Sequence, residues 1–389
     1  MIAAGTPQDN RLTGGAASSA DRADPSTAPA VRGHAVASIS CGRDHTLALL
    51  ASGKVIGWGG DGSGRVPSGT PEYCTTPAPT KAVEVLLREP LTAVAAGHGI
   101  SLGITRQREV ALWGAQGAGI DGRVGAVAVA TPMLFEDISR AREVVAGEFQ
   151  FAAIDHAGAV FTWGLNVDGA LGRMGAPFEA PPARVAGLPA VRTLAVGKGY
   201  MLALTQDQRL YAWGGNAAGQ LGLGHLQAVE TPTLVQLPHK VAALAAGSTH
   251  VLALTTSGTV LAWGSNNHGQ LGQVLPTFAM APLPVALPER VQAVAAGMFY
   301  SLALSNSGNV YAWGWNSLGQ LGQGDAEDRA VPTRIAGLSK VRAIAAGQAH
   351  AAALMAGALH GWGSNADGQL GAAAREQRHP TQLLAVHTA

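Results

Sequence analysis

Charged residues are scarce in this chain. Asp, Glu, Lys and Arg together make up 13% of its 389 residues, and the formal net charge is +1. So small a net charge argues against a surface that binds by attraction to phosphate, so we expect no direct binding to nucleic acid or chromatin. Cysteine is scarcer still, because Cys41 and Cys74 are the only two and they lie in no metal or redox spacing. A disulfide framework is therefore not expected. We expect the protein in a reducing compartment such as the cytoplasm.

Long hydrophobic runs are also missing. Gly, Pro or polar residues interrupt every apolar run well before the roughly 18 positions that a membrane helix needs, so no membrane partner is expected. The N-terminus, "MIAAGTPQDNRL", lacks the charged start and apolar core of a secretory signal. Residues 1–33 are rich in Ala, Gly, Ser, Thr and Pro without periodicity, which predicts a disordered tail. Residues 34–389 are predicted to form one domain, a monomer.

An internal repeat dominates the rest of the chain. A Trp-Gly pair returns at steps of 55, 50, 50, 50, 50 and 49 residues, at Trp58, Trp113, Trp163, Trp213, Trp263, Trp313 and Trp362. A glycine preceded by a small residue, called the marker glycine below, returns in phase with it, at Gly42, Gly97, Gly147, Gly197, Gly247, Gly297 and Gly347. Two markers in phase indicate seven structural units.

Each unit reads as four short strands. In the unit 232–272 the apolar runs are 233–238, 241–247, 251–255 and 259–264, each bounded by turn residues. The runs lack polar alternation, which indicates sheets covered on both faces. The sequence therefore predicts an all-β fold: seven four-stranded antiparallel blades in a closed ring.

Closure of that ring leads to a specific expectation. The segment "HPTQLLAV" (379–386) copies the proline-containing strand "TPTLVQLP", but no unit follows it. The first unit, which opens at 35–42, has no such strand before it. We therefore expect the C-terminal strand to complete the first blade and so to close the ring.

The repeated residues carry a family resemblance. The pattern "AAGxxH…ALTxxGxVYAWGxNxxGQLG" resembles the repeat of the regulator of chromosome condensation family over about residues 35–386. The second unit departs from it, with "AQGAGIDGRVG" after its Trp-Gly, and the third has "GALG" at 169–172. The resemblance implies a seven-bladed β-propeller. It does not imply one function, because the family includes an exchange factor for the small GTPase Ran, a plant UV-B photoreceptor, ubiquitin-ligase modules and a secreted β-lactamase inhibitor.

Two motifs resemble ligand sites and are interpreted as structural. The "GQLG" turns lead towards another strand and lack the lysine and the helix start of a phosphate loop. The position three residues after the marker glycine holds His45, His250 and His350, but each lies in a different unit, and Ile or Tyr fills the same position elsewhere. We therefore expect no metal site, no cofactor and no catalytic residue.

The loops after the marker glycine and after Trp-Gly are expected on one face of the ring, and their composition varies most between units. Such loops are where binding residues usually lie. The predicted partner-binding residues are Arg43, Asp44, His98, Glu148, Phe149, Lys198, Met298, Phe299, Tyr300, Trp315 and Gln348. Met298, Phe299 and Tyr300 are expected to lie near Trp315. Exposed methionine and aromatic side chains on a rigid loop are typical of binding hot spots. The first unit has five extra residues within 59–86, and they are expected to lie on the same face.

Three functions remain open. The first is a non-catalytic propeller that binds a partner protein through this face. The second, implied by the resemblance, is nucleotide exchange on a small Ras-like GTPase of the Ran type; "GRDHT" places Asp44 where that factor has an acidic residue, but a wedge and a basic tail are missing. The third is an inhibitor like the β-lactamase-binding propeller. A photoreceptor is disfavoured, because the "GWRHT" strings of the plant protein are absent.

Overall fold

The structure is a computed structural model, which describes residues 35–60, 82–114, 129–135, 138, 140–356, 358–371 and 374–385. It contains seven four-stranded antiparallel sheets, the blades of a β-propeller. The predicted all-β fold of seven four-stranded blades in a ring is therefore confirmed. The predicted tail 1–33 and residues 61–81 of the first-unit insertion lie outside the described residues.

The blades take their strands in chain order. Blades one to three contain β1 Val36–Cys41, β2 His45–Leu50, β3 Val55–Gly59, β4 Val83–Glu84; β5 Leu91–Ala96, β6 Ile100–Thr105, β7 Val110–Gly114, β8 Val129–Phe135; β9 Ala141–Ala146, β10 Gln150–Asp155, β11 Val160–Leu165, β12 Glu179–Arg184. Blades four and five contain β13 Val191–Gly197, β14 Tyr200–Thr205, β15 Leu210–Gly214, β16 Val229–Val235; β17 Val241–Ala246, β18 His250–Thr255, β19 Val260–Ser265, β20 Phe278–Val285. Blades six and seven contain β21 Val291–Ala296, β22 Tyr300–Ser305, β23 Val310–Gly314, β24 Arg329–Arg334; β25 Ala343–Ala346, β26 His350–Met355, β27 Ala358–Ser364, β28 Glu376–Ala385. A short 3₁₀ helix, Val167–Gly169, follows β11.

The first strand of each blade lies nearest the ring axis, and each of these strands contacts those of the two neighbouring blades. Small residues such as the alanines of 242–246 suit this position, because the strands converge there. The second strand is buried along its whole length in blades such as the fifth, where β18 has both faces covered. This confirms that the missing polar alternation reflects sheets packed between two neighbours.

The expected position of the C-terminal strand is wrong. β28 pairs with β27, for example Leu384 with Leu359, and so completes the seventh blade rather than the first. The same rule holds in blades two to six, where the proline-containing strand is the outermost one and pairs with the strand before it, as β16 does with β15. Proline has no backbone N–H, so it suits an outer edge where no further strand needs that donor. Small residues, by contrast, are needed at the axis.

Tryptophan side chains join the blades. All seven Trp-Gly tryptophans are buried, at no more than 1% exposure. The indole N–H of Trp263 donates to the Gln220 carbonyl oxygen (2.9 Å) in the glycine-rich loop of the preceding blade, and Trp313 does the same with Gln270 (2.9 Å). The prediction that these tryptophans form the core between blades is confirmed, and the "GQLG" turns are their partners.

The seam between blades seven and one uses the same contacts as the seam between blades five and six. The Thr46 hydroxyl bonds His350 Nε2 (2.9 Å) and donates to the Gln369 carbonyl (2.8 Å). At the seam between blades five and six, Ser301 bonds His250 Nε2 (3.0 Å) and donates to the Gln270 carbonyl (2.8 Å). Side chains and innermost strands therefore close the ring, without a blade that combines strands from both ends of the chain.

Candidate functional site

Two loops of each blade emerge on the same face of the ring, which we call the loop face. One follows the innermost strand, and the other follows the third strand. In blade five, β17, β18 and β19 are antiparallel neighbours and His250 lies opposite Gly264, so the loops after Gly247 and after Ser265 lie together. The prediction that the marker-glycine and Trp-Gly loops share a face is confirmed. The corresponding third-strand loops of blades one and two lie mostly outside the described residues.

At the axis of the loop face, the residues directly after the marker glycines surround a cavity of about 130 Å³. We call this ring of seven residues the channel mouth: Arg43, His98, Glu148, Lys198, Ser248, Met298 and Gln348. Six of them were predicted as partner-binding residues, and the structure brings those six together. Ser248 is the addition. Because the sequence was read as pairs of loop residues, its small side chain gave no signal of its own.

Backbone hydrogen bonds fix the channel mouth. The Met298 N–H donates to the Gln348 carbonyl (3.0 Å), and the Gln348 N–H donates to the Gly42 carbonyl (3.0 Å), so the bonds run from blade to blade across the closing seam. A Cβ on Gly247 would overlap the Gly297 carbonyl oxygen, so the marker position needs glycine for close packing between blades. The backbone polar groups of these loops bond one another, which leaves recognition to the side chains.

A charged network crosses four blades at the channel mouth. Arg43 Nη1 bonds His98 Nε2, His98 Nδ1 lies 3.6 Å from Glu148 Oε1, and Lys198 Nζ lies 3.1 Å from Glu148 Oε2. A guanidinium group only donates, so His98 accepts at Nε2 and carries its proton on Nδ1, facing Glu148. The hydrogen bond with His98, and then Lys198, lowers the pKa of Glu148, against the opposing effect of partial burial. Glu148 is therefore an anion that neighbouring blades already engage.

Two of the predicted site residues have buried side chains. Tyr300 has no exposed surface, and its hydroxyl donates to the carbonyl oxygens of Gly347 (3.1 Å) and His350 (2.5 Å) in blade seven. Asp44 is 7% exposed, with its Oδ1 3.6 Å from His45 Nδ1. Both side chains lie beneath the surface, because the position three residues after the marker glycine and its neighbour in blade one face the seam between blades.

An aromatic cluster lies on the loop face between blades five and six. The ring centroids of Phe299 and Trp315 are 6.2 Å apart in an edge-to-face arrangement. The backbone N–H of Trp315 donates to the backbone carbonyl of Phe299 (2.9 Å). His268 stacks on Phe299 at 5.4 Å and lies 6.2 Å from Trp315. Asp328 Oδ2 lies 2.8 Å from His268 Nδ1. The expected proximity of Phe299 to Trp315 is confirmed. The sequence pattern did not indicate His268, which lies in the loop of another unit, or Asp328, which lies at the far end of the loop that begins at Trp315.

Phe149 is a second exposed aromatic residue of the loop face. It is 38% exposed, and its ring lies 5.3 Å from that of His98 at the channel mouth. Phe149 also accepts a backbone bond, from the Leu165 N–H (2.7 Å), so its loop is held against the end of the third strand. This placement continues the loop-face surface from the axis outwards over blades two and three.

Within the described ranges, no three His, Cys, Asp or Glu side chains are grouped so that they could hold a metal ion. His45, His250 and His350 serve the seams instead, bonding a hydroxyl group of the next blade. No helix in the described part of the chain is long and apolar enough to cross a membrane.

Comparison with family models matches most of the chain to one family. The model described as "RCC1-like domain" matches residues 125–389, and the regulator of chromosome condensation (RCC1) repeat matches residues 36–65. Among curated proteins, the ultraviolet-B receptor UVR8 of Arabidopsis thaliana is 35% identical over 111 residues, which are 28% of this chain and 24% of that protein. The mitochondrial RCC1 domain-containing protein RUG3 of Arabidopsis thaliana is 33% identical over 91 residues, which are 23% of this chain and 20% of that protein. The matches therefore span about a quarter or less of these relatives.

Solved structures share the fold over much greater lengths. Human WBSCR16 has a TM-score of 0.73 and 25% identity, covering 84% of this chain and 92% of that chain. Prp20p of Saccharomyces cerevisiae, described with its binding properties to Gsp1p and histones, has a TM-score of 0.71 and 24% identity, covering 80% of each chain. Yeast RCC1 (Prp20) bound to Kap60 has a TM-score of 0.74 and 21% identity, covering 98% of this chain and 91% of that one. The two yeast likenesses show the fold alone.

Proposed function

Because this chain belongs to the RCC1-like domain family, we propose that it is a non-catalytic binding propeller whose protein partner docks on the loop face. The family models indicate a propeller and no catalytic enzyme family. The likeness to propellers such as Prp20p, described with binding to Gsp1p and histones, is compatible with a protein partner.

The observation that carries the proposal is the aromatic cluster. Phe299, Trp315 and His268 are partly exposed and in mutual ring contact, held on loops that two blades fix in place. Aromatic side chains with few rotatable bonds, arranged before binding, lose little entropy when a partner covers them. Trp315 stands where blades four and five have Gly215 and Ser265, so the blade end itself does not require tryptophan. Such an anchor resembles the hot spots of protein interfaces.

The direct test is partner capture with matched variants. The chain is immobilised, a lysate of its source cells is passed over it, and the captured protein is identified and its affinity measured. Phe299→Ala and Trp315→Ser are expected to weaken that affinity by tenfold or more, since hot-spot truncation costs about 2 kcal/mol. Leu234→Ala is the control, because Leu234 is 37% exposed but pairs with Tyr211 near the start of β15, at the end of the blade away from the loop face.

The stability of the variants separates binding from folding. Trp315→Ser installs the residue that blade five has naturally, so its melting temperature is expected to stay near that of the unmodified chain. Unchanged affinity in both Phe299→Ala and Trp315→Ser, or equal weakening by Leu234→Ala, would refute the proposed docking surface.

Nucleotide exchange receives no specific support from the site. The resemblance implied a role for Asp44, but this carboxylate is buried beside His45 rather than presented to a partner. Nucleotide release from a panel of small GTPases, measured with and without the propeller, is the accompanying control. Accelerated release that Asp44→Asn abolishes would replace the binding-only proposal with the exchange-factor one.

A further inference from the structure

The channel mouth is separate from the aromatic cluster and has its own chemistry. Its cavity of about 130 Å³ is far smaller than the roughly 300–1,000 Å³ of pockets for drug-sized ligands. One water occupies about 30 Å³ of liquid volume, so the space suits a single side-chain end group rather than a cofactor. The next question is which group the lining favours.

Among the polar side chains of the channel mouth, hydrogen-bond donors prevail. Arg43 and Lys198 are cations, and Gln348 beside Arg43 and Ser248 beside Lys198 add an amide and a hydroxyl. A guanidinium and an ammonium group only donate, so these groups need an acceptor. The formal charge of the mouth is +1 with His98 neutral, from Arg43 and Lys198 against Glu148.

The one carboxylate of the mouth does not cancel that preference. Glu148 already interacts with His98 on one oxygen and with Lys198 on the other. Arg43 directs one nitrogen at His98, which leaves the remaining N–H groups of an exposed guanidinium. The network therefore places Arg43 and Lys198 on the two sides of the His98 and Glu148 pair, with donor capacity remaining on both.

From this geometry we infer that the channel mouth receives an acidic side chain, Asp or Glu, of the protein that docks on the loop face. The inference rests on the proposed function, since it names the chemistry of that partner. A free small anion is the weaker occupant, because Arg43 and Lys198 are exposed and such ion pairs contribute only about 0–1 kcal/mol. A carboxylate carried by a docked protein benefits from the high effective concentration that docking provides.

The test uses a defined acidic probe. A fluorescent hexaglutamate peptide is titrated with the full chain at low salt, with hexalysine and acetate as the comparison probes. Hexaglutamate is expected to bind, hexalysine is not, and acetate at equal carboxylate concentration is expected not to compete. Arg43→Gln with Lys198→Gln should weaken hexaglutamate binding about tenfold, as the combined effect of two screened charges. Lys198→Arg, which keeps the charge, should retain binding.

Two further variants make the test bidirectional. Glu148→Gln removes the only negative charge of the mouth and should tighten hexaglutamate binding, the direction opposite to the lysine and arginine variants. Lys240→Gln removes one positive charge just before β17 begins, on the opposite face, and should leave binding unchanged.

Several results would overturn the inference. These are failure of hexaglutamate to bind the unmodified chain, no weakening in the double variant, or equal weakening by Lys240→Gln. Competition by acetate would assign the mouth to free anions instead. Phe299→Ala and Trp315→Ser are expected to leave hexaglutamate binding unchanged. Loss of partner capture in those variants and loss of peptide binding in the Arg43 and Lys198 variants therefore report separately on the two proposals.

Discussion

Three histidines illustrate how a residue that resembles a ligand serves the architecture instead. His45, His250 and His350 stand three residues after a marker glycine, and each is fully buried with its Nε2 on a hydroxyl group of the next blade. Burial lowers the pKa of His250 to about 3, and it lowers the pKa of His350 to about 3 as well, with a smaller contribution from His45 and an opposing one from Asp44. The imidazoles of His250 and His350 are therefore neutral in the folded chain above about pH 3.

The depressed pKa values predict a loss of stability in acid. A histidine in the unfolded chain has a pKa near 6.5, so it is protonated below that pH. The folded His250 and His350 stay unprotonated down to about pH 3, so the unfolded state binds more protons in this range. Stability is therefore complete above about pH 6.5 and falls as the pH drops towards 3, by at most about 1.4 kcal/mol per pH unit for each histidine. Urea unfolding at several pH values measures the slope.

Replacement by glutamine supplies the matched variant, because Gln150 holds the same position in blade three and donates to the Gly197 carbonyl (2.5 Å). His250→Gln and His350→Gln together are expected to flatten the loss of stability between pH 6.5 and 4.5. An unchanged slope would show that other groups control the acid transition.

Two glycines, the last of the "GQLG" turn at 219–222 and one two residues after it, permit a second prediction at the residue scale. Gly222 (φ +69°) and Gly224 (φ +81°) both have left-handed backbones, but a Cβ on Gly222 would lie 2.8 Å from Trp263 Nε1, whereas one on Gly224 would meet nothing within 4 Å. Gly224→Ala is expected to cost about 1–2 kcal/mol of unfolding free energy, from the backbone alone. Gly222→Ala should cost about 1–3 kcal/mol more, because the tryptophan must shift. Chemical denaturation measures both, and equal losses would contradict the packing role of Gly222.

At the scale of the element, the strands follow from the sequence but their assignment to blades does not. The short apolar runs and their turns predicted the four strands of 232–272 within a few residues. The proline-containing strand could pair with the strand before it or lie at the head of the next blade, since both arrangements give four strands per unit. Only the register resolves this, with β28 beside β27.

Disulfide trapping tests that register. His360 and Gln382 are opposed residues of β27 and β28, so cysteines there are expected to cross-link, since paired strand positions lie within the Cα separation that a disulfide spans. The Ser40 and Gln382 pair, which joins β28 to the first blade, should stay reduced. Both are made on a Cys41→Ala, Cys74→Ser background and assayed by mass spectrometry under mild oxidation. Cross-linking of the second pair instead of the first would show that the C-terminal strand completes the first blade, contrary to the pairing of β28 with β27.

At the scale of the whole molecule, the first and last blades meet through the same side-chain contacts as blades five and six, and their innermost strands also touch. Thr46 occupies in blade one the position that Ser301 occupies in blade six, each bonding a histidine and a "GQLG" carbonyl of the preceding blade. Every blade therefore packs between two neighbours. An open row of blades would instead leave an uncovered sheet at each end.

Because these two seams make the same contacts, matching substitutions are expected to reduce the free energy of unfolding by similar amounts. Thr46→Val and Ser301→Ala each remove a buried hydroxyl group with two partners, so each is expected to lower the free energy of unfolding by about 1–3 kcal/mol. Thermal and urea unfolding should show one cooperative transition in both variants. A cost at Ser301 with none at Thr46 would indicate that the seam between blades seven and one contributes nothing to stability.

The sequence by itself determined the number of blades, the strands within each and the face that carries variable loops, because these follow from local periodicity and a repeated steric need for glycine and tryptophan. The tertiary structure decided which irregular residues act together. Phe299, Trp315 and Asp328 belong to one unit, but His268 joins them from the neighbouring blade, and the Arg43 to Lys198 network spans four blades. Contacts between residues fifty positions apart depend on how the ring brings equivalent loops side by side, and a repeat pattern gives their equivalence but not their distances.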